Sequence, residues 1–337
     1  MAHELDFTKG RAAIAYDPRN GSPWHHFGAA MQPGMTRDQW IAAAGLDYTV
    51  SKSPGYYYVG AELRRADDLA FLTRDDNGAV LGRSSVTDGY QMVQPREPVD
   101  FFFDQYIAQD DRFAMDVAGA LRGGTMVWAT ATFKEPVIVA GDGHVMRLLM
   151  TTTYDATQAT RVQGVTERVV CRNTWRMAMS EQAPVVSVRH NAKFDAAAVA
   201  KQLAGIVQGF AKYKIMGDAM ASVTMGEIEV NALFRAVLDI PADAKKVDIS
   251  TRKFNQFGSL ARSLNVTRRE RSKEKGAPIE LWEAWQAITR YVDHERISVN
   301  GDGGEKQFLT ANFGSGDQMK NKALGLIMPR IKDLIAA

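Results

Sequence analysis

The chain has 337 residues, 45% hydrophobic, 24% charged and 9% aromatic, with 41 Lys+Arg against 39 Asp+Glu and a formal net charge of +2. That composition excludes bulk disorder, collagen-like repeats and coiled-coil rods, and the length allows one large domain or two ordinary ones with a real core. No run nears the roughly 18 apolar residues of a membrane helix, so no membrane partner is expected. The opening MAHELDFTKGRAAIAYD is polar and contains acids, which predicts neither a secretory signal nor a transit peptide. The single cysteine, Cys171, excludes an intramolecular disulfide and fits a reducing cytoplasm.

Residues 1–50 read as a small N-terminal module. Pro23-Trp24-His25-His26-Phe27-Gly28 forms a loop with bulky anchors, and Thr36-Arg37-Asp38-Gln39 has the spacing of a capping box before Trp40, Ile41 and Ala44, with Gly45 as the stop. From Tyr56 to about Thr166 the period changes to two. Tyr56–Arg65 reads as a strand, and Asp75-Asp76-Asn77-Gly78 between Leu69–Arg74 and Ala79–Arg83 signals a hairpin. Pro98 opens a short helix carrying Phe102, Phe103, Tyr106 and Ile107. Strands follow at Phe113–Leu121, Thr125–Phe133, Val145–Tyr154 and Gln158–Thr166. In the third, Met146, Leu148 and Met150 alternate with Arg147, Thr151 and Thr153. A helix is expected at Arg168–Ser180, which makes 51–193 a sheet-plus-helix core with a strand-strand-strand-helix order.

From 194 to 337 the pattern is mostly helical, over Ala196–Tyr213, Met225–Leu238, a helix after Pro278 bearing Trp282, Trp285, Ile288 and Val292, and a last helix from about Asp317. Between them, 245–275 reads as a basic loop. The fold class expected is α+β, a central antiparallel meander with packed helices and a helical C-terminal half.

Much enzyme chemistry lacks its signature. There is no Walker A run, no strand followed by GxGxxG and no GxSxG elbow. Gly314-Ser315-Gly316 with Lys320 could hold a phosphate at a helix start, although an N-cap turn explains it as well. His3, His25, His26, His144, His190 and His294 show no metal-ligand spacing, and Cys171 beside Val169 and Val170 reads as a small buried hydrophobe. No cofactor and no metal are expected.

The net charge conceals its distribution. Residues 61–111 carry eleven Asp/Glu and five Lys/Arg, 147–193 carry seven Lys/Arg and three Asp/Glu, and 245–275 carry ten Lys/Arg and three Asp/Glu. Arg168, Arg172 and Arg176 recur every four residues, which on a helix gives one basic face. With Arg147 and Arg161 they form a candidate phosphate-binding set, and Trp128, Tyr154 and Trp175 could stack on unpaired bases. In the second basic segment Lys253, Arg262, Arg268, Arg269 and Arg271 stand among Phe254, Asn255 and Phe257 and would extend or clamp the groove.

Several of these segments carry a resemblance. The opening MAHELDFTKGRAAIAY, Pro23-Trp24-His25-His26, Ala44-Gly45-Leu46-Asp47, Val170-Cys171-Arg172-Asn173-Thr174, Trp282-Glu283-Ala284-Trp285 through Asp293-His294, and Phe313-Gly314-Ser315-Gly316 resemble the phage/plasmid-like protein family, domain of unknown function nine-three-two. The resemblance covers nearly the whole chain. It implies a mobile-element or bacteriophage origin in a bacterial cytoplasm and brings no established activity and no catalytic residue. The order of a strand meander and an arginine-bearing helix also resembles ring-forming single-strand annealing proteins of the RecT/Red-beta and Rad-fifty-two type, a fold analogy. That second resemblance implies annealing without ATP or metal.

The expected function is therefore single-stranded DNA binding and annealing in phage or plasmid recombination. The protein would act as a homo-oligomer, ring or filament, alongside a phage exonuclease or a host single-strand-binding protein. The alternatives are an accessory protein that binds a host protein through the acidic 61–111 face, and a metal-dependent nuclease using Asp67, Asp68 or nearby acids.

Overall fold

Thr36 shows how directly local chemistry builds this fold. In the computed structural model, which describes residues 6–8, 11–20, 27–168, 174–176, 185–202, 206–274, 276–296, 310–311 and 314–336, its hydroxyl accepts from the Gln39 N–H at 3.4 Å. The Gln39 side chain accepts from the Thr36 N–H at 2.8 Å, which completes the expected capping box of helix α1 (Arg37–Ala43). The chain divides into two units. One comprises Met1–Lys134, Arg147–Gly164 and Pro184–Gly205, the other Glu135–Met146, Val165–Ala183 and Ile206–Ala337.

The first unit opens with short strands β1 (Phe7–Thr8), β2 (Arg11–Ala12), β3 (Ile14–Tyr16) and β4 (Ala29–Ala30), then α1. A three-stranded sheet follows, β5 (Val50–Val59), β6 (Glu62–Arg74) and β7 (Val80–Val86), before helix α2 (Glu97–Phe102), which continues as one wide turn over Phe103–Ile107. The β6–β7 turn is the predicted one, with Gly78 at φ +69° and the Asn77 side chain accepting from the Ala79 N–H. The predicted single strand Tyr56–Arg65 is instead a hairpin tip. The chain reverses at Gly60 (φ +61°), which sets Tyr56 opposite Arg65 and Tyr58 opposite Leu63.

The meander read from the alternation is present. Strands β8 (Phe113–Leu121) and β9 (Met126–Phe133) pair antiparallel, and residues 147–153 of β11 (Asp142–Thr153) pair with β9, Met150 opposite Ala129. In this unit the order runs from residues 160–164 of β12 (Thr160–Arg168) through β11, β9, β8 and β3 to β4, with β14 (Val186–Val188) antiparallel on β12. Phe101 and Phe102 of α2 are buried, and α2 packs against β9. At the β8–β9 turn Gly124 has φ +90°, and a Cβ there would lie 2.6 Å from the Tyr48 hydroxyl and 2.8 Å from Arg74 Nη1, so only glycine fits. Arg74 is buried under that turn. It pairs with Asp6 and Asp76, donates to the Gly123 carbonyl and stands 3.8 Å from the Tyr48 ring centroid. Helix α3 (Ala196–Gln202) ends the unit's regular structure.

Glu97, in the first turn of α2, is half-buried and accepts from the Gln94 N–H at 3.1 Å. Burial raises its pKa above the ordinary glutamate value. The folded state therefore prefers the protonated form, and that contribution is lost as pH rises through the folded pKa. Glu97→Gln should raise the urea midpoint at pH 7 and make no difference below about pH 4, a comparison that denaturation at the two pH values reads directly.

The second unit is mainly helical, with α4 (Ile206–Ser222), α5 (Glu227–Val237), α6 (Thr251–Glu270), α7 (Leu281–Arg290) and α8 (Ser315–Ala336). It also holds β10 (Val137–Val139) against the start of β11, β13 (Thr174–Arg176) against the end of β12, and the pair β15 (Thr224–Met225) and β16 (Ile279–Glu280). Two expectations are corrected here. Thr174–Arg176, placed within a helix over 168–180, is a strand paired with Val165–Glu167. Most of the predicted basic loop 245–275 is helix α6, started by Ser250, whose side chain accepts from the Lys253 N–H. The α+β class and the antiparallel meander stand. Trp282 and Trp285 of α7 are fully buried, and Gly217 of α4 lies so close to Trp282 that a Cβ would come 3.0 Å from its ring and 2.2 Å from Val139 Cγ1.

Candidate nucleic-acid interface

Helix α6 sorts its side chains by position. Leu260, Ser263, Leu264 and Thr267, at helical spacing, form the buried stripe, and Asn255, Arg262, Asn265 and Arg269 lie on the opposite, exposed side. At 1.5 Å per residue the exposed arginines Arg252, Arg262 and Arg269 span about 25 Å of the helix. Arg262 donates to the Ser259 hydroxyl at 2.7 Å, and none of these three arginines makes an ion pair among the described residues. At the N-terminal end Arg252 stands near Arg296, whose pKa is lowered by burial and also by the charge of Arg252. Like charges held close together favour a bound anion.

The other half of the predicted basic set is structural. Arg271, at the end of α6, has a side chain only 9% exposed, pairs with Asp142 and Glu280, and donates to the Ala140 carbonyl. Arg268 pairs with the fully buried Glu283 at 2.8 Å and donates to the carbonyls of Ala277 and Pro278. Lys273 pairs with Glu280, and Lys253 donates to the Asp239 carbonyl at 2.6 Å. Arg268, Arg271 and Lys273 fasten the end of α6 to the β10–β11 hairpin and to the start of α7, and Lys253 fastens its beginning to the loop after α5. Lys253, Arg268 and Arg271 are corrected from phosphate ligands to internal ties, because carboxylates and backbone carbonyls of the folded unit claim their ammonium and guanidinium groups.

In the first unit Arg147 is likewise buried against Asp116, which also accepts from Asn20 at 2.7 Å. Trp128 is 3% exposed and Tyr154 0%, with the Tyr154 hydroxyl donating to the Val93 carbonyl at 2.7 Å and its pKa raised by burial. Neither ring can present a face to a base. Arg161 is half-buried on β12 and makes no ion pair among the described residues. Arg172, Cys171, His3 and the His25-His26 pair lie outside the described residues, as do the side chains of Arg168, Trp175 and Arg176. Lys320 is fully buried on Asp293 at 2.9 Å and is no phosphate ligand.

The exposed aromatic surface lies on the β5–β6 hairpin instead, where Tyr56, Tyr57 and Tyr58 reach 56%, 49% and 71% exposure. Alternation hides such residues from a sequence reading, because tyrosine in a strand pattern reads as half-buried. The acidic segment offers less than its count promised. Asp76 is held by Arg74, Asp100 by Arg96, Asp104 by Arg37, Asp110 by Arg112 and Glu62 by Arg64. Asp67 and Asp68 are exposed in an irregularity of β6 opposite Pro54 and Gly55. Among the described residues no three His, Cys, Asp or Glu are grouped to hold a metal ion. No described helix is long and apolar enough to cross a membrane.

No curated protein and no solved structure matches this chain. The model of one protein family matches residues 83–324, which include most of both units' regular structure and all of α6 and α7. The chain therefore belongs to the family described as domain of unknown function DUF932.

Proposed function

We propose that this protein binds single-stranded DNA through the exposed face of α6 and promotes annealing during phage or plasmid recombination, as an oligomer and without ATP or metal. The observation that carries the reading is the pair Arg262 and Arg269 on the outward side of α6, with Arg252 exposed at its start, all three without ion pairs among the described residues, on a helix whose other bases are tied to a carboxylate or a backbone carbonyl. Arginine forks suit phosphate oxygens, and exposed arginines spaced along a helix can hold a strand's backbone without reading its sequence.

Fluorescence anisotropy with labelled single strands tests it. Binding should weaken steeply with salt, and Arg252→Glu, Arg262→Glu and Arg269→Glu together should reduce affinity at least tenfold and flatten the log–log salt slope by about 2, at an unchanged unfolding midpoint. No binding at low salt, or binding indifferent to the triple change, rejects the site. A strand-annealing assay with complementary labelled strands then tests the second half of the proposal.

The β5–β6 hairpin favours a second reading, an accessory protein that binds a host protein. Its tip presents Tyr57 and Val59 on one face and Tyr56, Tyr58 and Leu63 on the other, all exposed. A partner captured in stoichiometric amounts by the intact protein and lost with Tyr56→Ser plus Tyr58→Ser, with no DNA affinity, would support that reading over the first.

A further inference from the structure

Beside the exposed arginines of α6 the second unit has a cleft of about 670 Å³ between α5, α6 and the segment leading to β16. Its floor is apolar, made by the buried Val230 and Phe234 of α5 and Leu264 of α6. Three polar side chains enter it without a hydrogen bond or ion pair among the described residues: Asn231 from α5, and Asn265 and Arg269, one helical turn apart on α6. Arg268 also lines the wall, but its guanidinium is committed to Glu283 and two carbonyls, so it builds the cleft and does not serve a ligand.

An apolar floor beside two carboxamides and one guanidinium has a definite chemical complement. A carboxamide offers paired donors and an acceptor, which match the edge of a nucleobase, and a guanidinium takes a phosphate through two parallel bonds. The flat ring of a base can lie on the apolar floor of Val230, Phe234 and Leu264, where a hydrated sugar or a free carboxylate would not. Glu227 and Glu274 also line the cleft. Their charge opposes a polyphosphate more strongly than a single phosphodiester, whose one negative charge Arg269 can match.

We propose that this cleft receives one unstacked base of a bound single strand, its edge on Asn231 and Asn265 and its phosphate on Arg269. This rests on the DNA-binding reading above and adds to it a specific base pocket, so that the strand is held by a base as well as by its backbone.

The test compares labelled oligothymidine with an abasic strand of the same length in anisotropy titrations of the intact protein. The wild type should bind the base-bearing strand about tenfold more tightly, in line with the contribution of a base held in a protein site. Asn231→Leu plus Asn265→Leu, both at exposed helix positions, should erase most of that preference and leave the affinity for the abasic strand unchanged. Equal affinity of the wild type for the two strands, or a double variant that keeps the preference, overturns the pocket and leaves the backbone interface standing. Binding of neither strand overturns both. Saturable binding of free dAMP by a protein that binds no strand would make the cleft a mononucleotide site and overturn the proposal in that form.

Discussion

Arg271→Ala should lower the stability of the protein by about 3–5 kcal/mol, whereas Arg269→Ala, two residues earlier on the same helix, should change it by less than about 0.5 kcal/mol. The guanidinium of Arg271 is buried between Asp142, Glu280 and the Ala140 carbonyl, with Glu283 3.9 Å away. Removing it leaves carboxylates with little access to water and only partial compensation, from Lys273 to Glu280 and from the Trp282 ring N–H to Asp142 at 3.1 Å. Arg271→Lys should restore only part of the loss, because an ammonium cannot reproduce the fork that reaches two carboxylates and a carbonyl. Urea denaturation followed by circular dichroism decides it. Equal effects at 269 and 271 would show that the division between exposed and internal arginines is wrong.

The second large effect is expected at the Lys320–Asp293 pair. Lys320 of α8 has a side chain 0% exposed and Asp293 one 3% exposed, with Nζ 2.9 Å from Oδ1. Lys320→Met leaves a buried carboxylate and should cost about 3–5 kcal/mol, and Asp293→Leu in the same protein should recover most of it, since two apolar groups need no counter-charge. The recovery separates this role from a phosphate site at Gly314-Ser315-Gly316. A phosphate-binding lysine would lose anion affinity on mutation and would gain nothing from the second change. Thermal unfolding of the single and double variants, with inorganic phosphate as titrant, gives both readouts.

Local chemistry made much of the fold legible. The Thr36–Gln39 capping box, the Asn77-Gly78 turn and the alternating strands of the meander are decided by residues a few positions apart, and each forms where its pattern lies. Thr174–Arg176 escaped that logic, because arginines every four residues mimic a helical face while Thr and Trp pair readily in a sheet when a strand is offered. The binding residues were harder for a different reason. Whether an arginine faces water depends on carboxylates as distant in sequence as Asp142, 129 positions from Arg271, and no spacing rule reports that. Within α6 the helical period alone separates Arg262 and Arg269 from Arg271, once the segment is known to be a helix. Trp128 and Tyr154 failed as stacking rings because both are covered in the folded unit.

Each unit draws on three separated stretches of chain, and the backbone crosses from one to the other after Lys134, Met146, Gly164, Ala183 and Gly205. Any truncation within 135–205 therefore removes chain from both units at once. A fragment beginning at residue 206 would retain α4 to α8 but lack β10 and Asp142, leaving Arg271 without one of its partners. Dissecting this protein genetically calls for point substitutions, or for fusing Glu135–Met146 and Val165–Ala183 back onto the helical part.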